Sequence, residues 1–356
     1  MTLRQYTLYL GSYTEADQPG IYGLTFDSVS GQLTPEWSFA GIVNPSFIAP
    51  HPNGRWLFAV SEMSQHREGR SGEVWALHLP EQGTEGQPRK INQQPSNGDW
   101  PCHLTIDASG HWLLVSNYQS GNVSVFPILE SGVLGSLVDN AQHSGHGPHP
   151  ERQEGPHTHS TIFTPDNHFV IVADLGIDQL VIYAFDSSSG KLSEHGRIHG
   201  QPGSGPRHMA FHPNGRQFYV SHELNNTVTV YDYDASQCTF HERQISATLP
   251  PDAGESIVAD IHLTPAGNQL YVSNRGHESL SVFTIAADGL LEQPAVISCG
   301  GKWPRHFTFA PAGNFVLVAN QLSSEVTVLP LLTSVSASGE PRARIAIPGV
   351  SCVRFQ

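Results

Sequence analysis

The 356-residue sequence predicts an all-β fold, a seven-bladed β-propeller, on three observations: composition, an internal repeat, and two end segments that complete one another. Val, Ile, Phe and Tyr recur in short runs, and 34 Gly and 26 Pro punctuate them with turn signals. Such a composition favours strands and leaves little room for long helices.

The repeat is an apolar strand, a Pro/Asp-x-Gly turn, a second apolar strand and a polar tip, and it occurs six times. In chain order the copies are "PSFIAPHPNGRWLFAVSE", "PCHLTIDASGHWLLVSNYQSGNVSVF", "HTHSTIFTPDNHFVIVADLGIDQLVIY", "PRHMAFHPNGRQFYVSHELNNTVTVY", "VADIHLTPAGNQLYVSNRGHESLSVF" and "PRHFTFAPAGNFVLVANQLSSEVTVL". Their turn markers, Pro52, Asp107, Pro165, Pro213, Pro265 and Pro311, stand 55, 58, 48, 52 and 46 residues apart. That is the length of one four-stranded propeller blade with its loops.

Two segments stay outside the six copies, "YTLYLGSYTEADQPGIYGLTF" at the start and "PGVSCVRF" at the finish. If "SCVRF" is the innermost strand and "YTLYLGS" the second strand of one sheet, the N- and C-terminal strands close a seventh blade. Closure also removes two exposed sheet edges. Residues 1–356 then form a single propeller domain. Two β-sandwiches joined near residue 150 are the alternative, but the repeat runs across that point, which makes 136–157 an insertion between blades.

The formal charge of −14 excludes a general affinity for nucleic acid or anionic membrane, so an anionic ligand would need local arginines. The four cysteines, Cys102, Cys238, Cys299 and Cys352, lie far apart without a CxxC pair, as reduced thiols of a cytoplasmic protein would. No signal peptide and no bilayer-spanning apolar run is expected. Oligomeric state is not written in the sequence.

Within a blade the first two strands are antiparallel, so the start of one and the end of the other share a face. At the starts stand Cys102 and His103, His157 and His159, Arg207 and His208, and Arg305 and His306. At the ends stand Glu62, Asn117 and Tyr118, Asp174, His222 and Glu223, Asn274 and Arg275, and Asn320 and Gln321. The opposite end of each strand pair carries only turn chemistry, "HPNG", "ASG", "TPDN" and "PAGN". One rim is therefore polar and convergent. Hydrogen bonding to neighbouring loops is the bland role for any one of these groups, but Arg207, Arg275 and Arg305 come from three blades of a chain with only 18 Lys plus Arg. Arginines so placed suit a two-pronged grip on carboxylate or phosphate.

The segments "GPHPERQEGPHTHSTIFTPD", "GSGPRHMAFHPNG", "YVSHELNNTVTVYDYD", "YVSNRGHESLSVF" and "KWPRHFTFAPAGNFVLVANQ" resemble the seven-bladed propeller lactonases, the bacterial 6-phosphogluconolactonases that are related to fungal carboxy-muconate lactonising enzymes. The resemblance covers essentially the whole chain. It implies that His159, Arg207, Glu223 and Arg275 carry the active site, with hydrolysis of 6-phospho-D-glucono-1,5-lactone to 6-phosphogluconate as the expected activity. His157, Arg305, Asn274, Gln321 and Asn117 are the expected substrate-binding neighbours. The chain departs from the family in placing Glu278 where an aspartate is expected.

Five histidines, His143, His146, His149, His157 and His159, crowd residues 143–159. Strict alternation would put His157 and His159 on one strand face, where two imidazoles could share a metal. No acidic or cysteine ligand stands at a matching spacing and the nearby arginines would repel a cation, so neither metal nor cofactor is expected. Loop polarity is the reading for His143, His146 and His149. Lactone hydrolysis needs an activated water, a stabiliser for the oxyanion and a handle on the substrate. His159 is the first candidate base, since imidazole titrates near 6.5, and Glu223 is the second. Arg207 and Arg275 would hold the oxyanion or the phosphate. The expected partner is a small anionic lactone. A muconate-type cycloisomerase and a non-catalytic binding scaffold remain as alternatives; a scaffold rim would favour aromatic anchors.

Overall fold

The structure, a computed structural model, describes residues 5–81, 86–331 and 340–356. The described strands form seven four-stranded antiparallel sheets. Six follow the six sequence copies in order, with second strands Trp56–Ser61, Trp112–Asn117, Phe169–Asp174, Gln217–His222, Gln269–Arg275 and Phe315–Asn320. The seventh has the order Val350–Phe355, Gln5–Ser12, Pro19–Asp27, Leu33–Ala40, as the two end segments predict. Phe355 fastens it, with its ring 6.2 Å from Tyr6 and 5.6 Å from Phe26.

Burial explains why the repeat reads as it does. Second strands are buried on both faces, so they are continuous apolar runs such as "WLFAVS" and "FVLVAN". Fourth strands such as Lys191–His199 alternate between half-buried and exposed and carry the charge. The described residues contain one short helix, Gln65–Glu68, capped by the Ser64 hydroxyl and ended by Gly69 in the left-handed region.

By packing, the described residues fall into two compact units. One comprises residues 9–24 and 35–203, where Trp112, Leu114, Val123 and Val125 of one sheet meet Val170, Val172, Val181 and Tyr183 of the next. The other comprises residues 5–8, 25–34 and 204–355, where Tyr271, Leu280 and Val282 pack against Phe307, Val316 and Val318. Each such side chain contributes about 1.5–3 kcal/mol by leaving water.

Candidate active site

Backbone geometry at the start of each first strand positions the chemistry. Pro206 pairs with His222, Pro101 with Asn117, Thr158 with Asp174 and Pro304 with Asn320, so strand start and strand end do share one end of the sheet. Just inside that pairing the register slips: between Pro101 and His103, Thr158 and Ser160, Pro206 and Met209, Val258 and Ile261, and Pro304 and His306. A bulge re-aims the side chain of its extra residue. Cys102, His159, Arg207, Ala259 and Arg305 each follow the first paired residue of such a slip.

In the unit of residues 204–355, Glu223 binds two guanidinium groups at once. Its Oε2 accepts from Arg207 Nε at 2.8 Å and from Arg275 Nη2 at 2.7 Å. Backbone carbonyls complete the grip: Arg207 Nη1 donates to Ala259 at 2.6 Å and Arg275 Nη2 to Val258 at 2.8 Å. The three side chains are at most 5% exposed. Two cations and one anion leave a buried net positive charge, which an incoming anion would compensate. Burial pulls the Arg275 guanidinium down to about 9; Glu223 opposes that pull, while Arg207 and Arg305 add to it. It remains charged at neutral pH. Arg275 Nε is buried and has no partner among the described residues.

In the unit of residues 35–203, His159 is 6% exposed, with its ring edge-on to Tyr118 at 5.6 Å and its carbonyl accepting from the Cys102 thiol at 3.3 Å. His157 stacks on Tyr118 at 4.4 Å, and its ring nitrogens meet the Tyr118 carbonyl at 3.0 Å and Glu154 at 3.3 Å. The register slips between Thr158 and Ser160, and both rings contact Tyr118. His143 lies against Asp174 at 2.6 Å, whose other oxygen takes the N–H groups of His157 and Gly176. It thus anchors the inserted loop. His146 is exposed beside the Gly147 carbonyl, and His149 accepts the Glu151 N–H.

The remaining expected residues differ in setting. Asn117 and Asn274 are fully buried and donate into their own sheets, Asn117 to Ser124 at 3.2 Å and Asn274 to Ser281 at 2.8 Å. Gly98 allows the close approach: a Cβ there would stand 2.5 Å from Asn117, as one on Gly301 would from Asn320. Arg305 is half-buried. Gln321 is also half-buried, and its Oε1 has no partner among the described residues.

The sequence reading missed three features. Asp260 is a buried hub: Oδ1 meets His208 at 2.7 Å, while Oδ2 meets His262 at 3.0 Å and accepts the Phe307 N–H at 3.0 Å. His306 accepts the Val353 N–H at 3.4 Å, and His103 accepts the Thr161 N–H at 3.4 Å. Side chains of one sheet thus satisfy backbone donors of the next first strand. Burial pushes His208 down to about 4 and His306 well below the usual imidazole range, while the histidines hold Asp260 well below the carboxylate range against its burial. Asp260, His262 and His306 also offer ligand atoms within 4.8 Å of one another. A lone aspartate inside the apolar run "VADIHL" was the available signal. The other two features are Trp100 and Trp303, half-exposed aromatic residues at strand starts where the sequence points to Cys, His and Arg.

The model of the family "Lactonase, 7-bladed beta-propeller" matches residues 7–355. The chain belongs to that family. Its seven sheets are therefore the blades of a seven-bladed propeller. Among lactonase-family relatives, the 6-phosphogluconolactonase of Bacillus subtilis (strain 168) is 35% identical over 355 residues, 99% of each chain. The 6-phosphogluconolactonase of Formosa agariphila is 31% identical over 328 residues, 90% of this chain and 91% of that one. The solved periplasmic gluconolactonase of Pseudomonas aeruginosa superposes with a TM-score of 0.90 at 29% identity, covering 99% of each chain. Among the described residues no helix is long and apolar enough to cross a membrane.

Proposed function

We propose that this lactonase-family chain hydrolyses a sugar lactone, with 6-phospho-D-glucono-1,5-lactone as substrate and 6-phosphogluconate as product. The observation that carries the reading is the buried Arg207–Glu223–Arg275 cluster, a net cation inside a chain of net charge −14. An anionic ester is the substrate such a charge favours, and the named relatives act on lactones of this kind. A muconate lactone would satisfy the same charge, so substrate choice is for assay.

Water adds to the lactone carbonyl, its proton passes to a base, and the tetrahedral oxyanion collapses as the ring C–O bond breaks and the ring oxygen is protonated. The product is a carboxylate and a free hydroxyl. Arg207 and Arg275 supply fixed positive charge for the oxyanion or the phosphate. Glu223 Oε2 accepts from both arginines, and His159 is taken as the base with Glu223 as the second candidate. Neither metal nor cofactor is invoked. The four cysteines are buried and form no disulfide, in keeping with a cytoplasmic site of action.

The experiment adds the protein to freshly generated 6-phosphogluconolactone and follows acid release against the spontaneous rate. His159→Ala should lose a factor of about 10² to 10⁴ in rate, and His157→Ala far less. Equal losses at the two positions, or loss of rate on adding a chelator, would favour the paired-histidine metal site instead.

A further inference from the structure

Four blades enter their first strand through a left-handed backbone position, recognisable because its carbonyl accepts the N–H of the residue that follows the second strand. Asn44 accepts from Glu62, Trp100 from Tyr118, Gly205 from Glu223 and Trp303 from Gln321, all at 2.8–3.1 Å. At these four positions φ is positive: 46° at Asn44, 52° at Trp100, 63° at Gly205 and 65° at Trp303. Asparagine and glycine tolerate the left-handed region, whereas a bulky side chain there is an outlier. Each tryptophan also precedes a proline, which disfavours helical backbone in the residue before it. Folding alone would therefore choose Asn or Gly, as it does at positions 44 and 205. Outliers that the surroundings enforce cluster at ligand clamps.

Trp303 has the surroundings of such a clamp. Its N–H is held by the Glu278 carboxylate, the residue at which this chain departs from its family's expected aspartate. The Arg275 guanidinium lies over the indole at 5.6 Å. Two buried polar atoms have no partner among the described residues: Nε of that Arg275, and Oε1 of Gln321, the residue whose N–H the Trp303 carbonyl accepts. Of the other tryptophans, Trp75 and Trp112 spend their indole N–H on Glu73 and Ser187, and Trp56 is buried under Gly132. We propose that Trp303 is the wall of a subsite for the ring of an anionic sugar lactone, laying the apolar ring face on indole while Arg275 Nε and Gln321 Oε1 take its polar groups. This rests on the lactonase reading above and deepens it.

The test measures affinity for 6-phosphogluconate by calorimetry, together with the melting temperature, for wild type, Trp303→Asn and Trp303→Phe. Trp303→Asn should bind about tenfold more weakly yet melt at the same temperature or higher, because asparagine accepts the left-handed backbone as Asn44 does. Trp303→Phe should stay within about threefold of wild type, since a ring remains. Unchanged affinity in Trp303→Asn overturns the subsite. So does weakened affinity accompanied by a lower melting temperature, which would make Trp303 a structural cover on Arg275. A wild type that neither hydrolyses the lactone nor binds 6-phosphogluconate sinks the functional reading and the subsite with it, whereas a wild type that does both beside an indifferent Trp303→Asn sinks the subsite alone.

Discussion

Glu62 and Glu223 occupy the same slot in two different blades, each the first residue after a second strand, each donating its N–H to the residue that opens the first strand. Their surroundings differ entirely. Glu223 is buried between Arg207 and Arg275. Glu62 is half-exposed and takes hydroxyl donors, Tyr13 at 2.8 Å and Ser46. The residue before each differs in kind as well: His222 rests on Thr229 at 2.8 Å, and Ser61 donates to the Val43 carbonyl at 2.7 Å. The repeat supplies the same backbone slot, and the side chains that reach it, Arg207 and Arg275 in one blade and Tyr13 and Ser46 in the other, decide what chemistry it serves.

The sharpest way to break this comparison is to neutralise both carboxylates. Glu223→Gln removes the carboxylate charge that two buried guanidinium groups share, and the loss in unfolding free energy should be about 3–5 kcal/mol. Glu62→Gln keeps an acceptor for the two hydroxyls and should cost less than about 1 kcal/mol. Urea melts of the two variants give both numbers, and equal costs would mean that the arginine bracket is not the distinguishing feature.

Arg207→Lys is the next step down. It retains the charge but not the planar fork that reaches Glu223 and the Ala259 carbonyl together. Turnover of the phosphorylated lactone should fall by at least about tenfold while the protein stays folded. Wild-type kinetics in this variant would reduce Arg207 to a scaffold charge.

A smaller effect separates His222 from Ser61. Burial pushes His222 down to about 4, against about 6.5 in an unfolded chain. Above about pH 6.5 the ring is neutral in both states and imposes no pH dependence. Between about pH 6.5 and pH 4 the unfolded chain takes up a proton that the folded protein refuses, so stability declines as pH falls. By pH 5 this one group should remove about 2 kcal/mol. His222→Gln should flatten that part of the stability profile, and a profile of unaltered slope would assign the acid sensitivity elsewhere, His208 and His306 being the next groups to test.

The blades were legible because their second strands are buried on both faces, which writes them as unbroken apolar runs with a turn signal before each. The sharing of the seventh sheet was legible from two segments that each lacked a partner. Placement of Arg207, Glu223 and Arg275 at one end of their sheets followed from antiparallel pairing alone. The bulges were not legible: a slip such as that between Thr158 and Ser160 is a matter of hydrogen-bond register and leaves no mark on composition. The alternation drawn for His157 and His159 did not anticipate this slip, although both rings meet Tyr118. Asp260 went unnoticed because a polar residue inside "VADIHL" reads as one more strand position until the neighbouring first strand, with its unsatisfied N–H, is in view. The Trp100 and Trp303 backbones were hidden by their residue type, since nothing about a tryptophan before a proline announces a left-handed turn.

The seventh sheet has a consequence for how the protein is made. Residues 5–12 and 350–355 are neighbours in that sheet, yet at about 5–20 residues per second the ribosome delivers the second segment on the order of tens of seconds after the first. Throughout that interval the edge of Gln5–Ser12 lacks its mate, while the earlier blades have time to form behind it. Blade formation is local and fast, whereas final closure is as non-local as a contact in this chain can be. The nascent protein therefore passes through a long-lived stage with one open strand edge, and chaperone demand and aggregation during synthesis should be concentrated in that window rather than in the mature molecule.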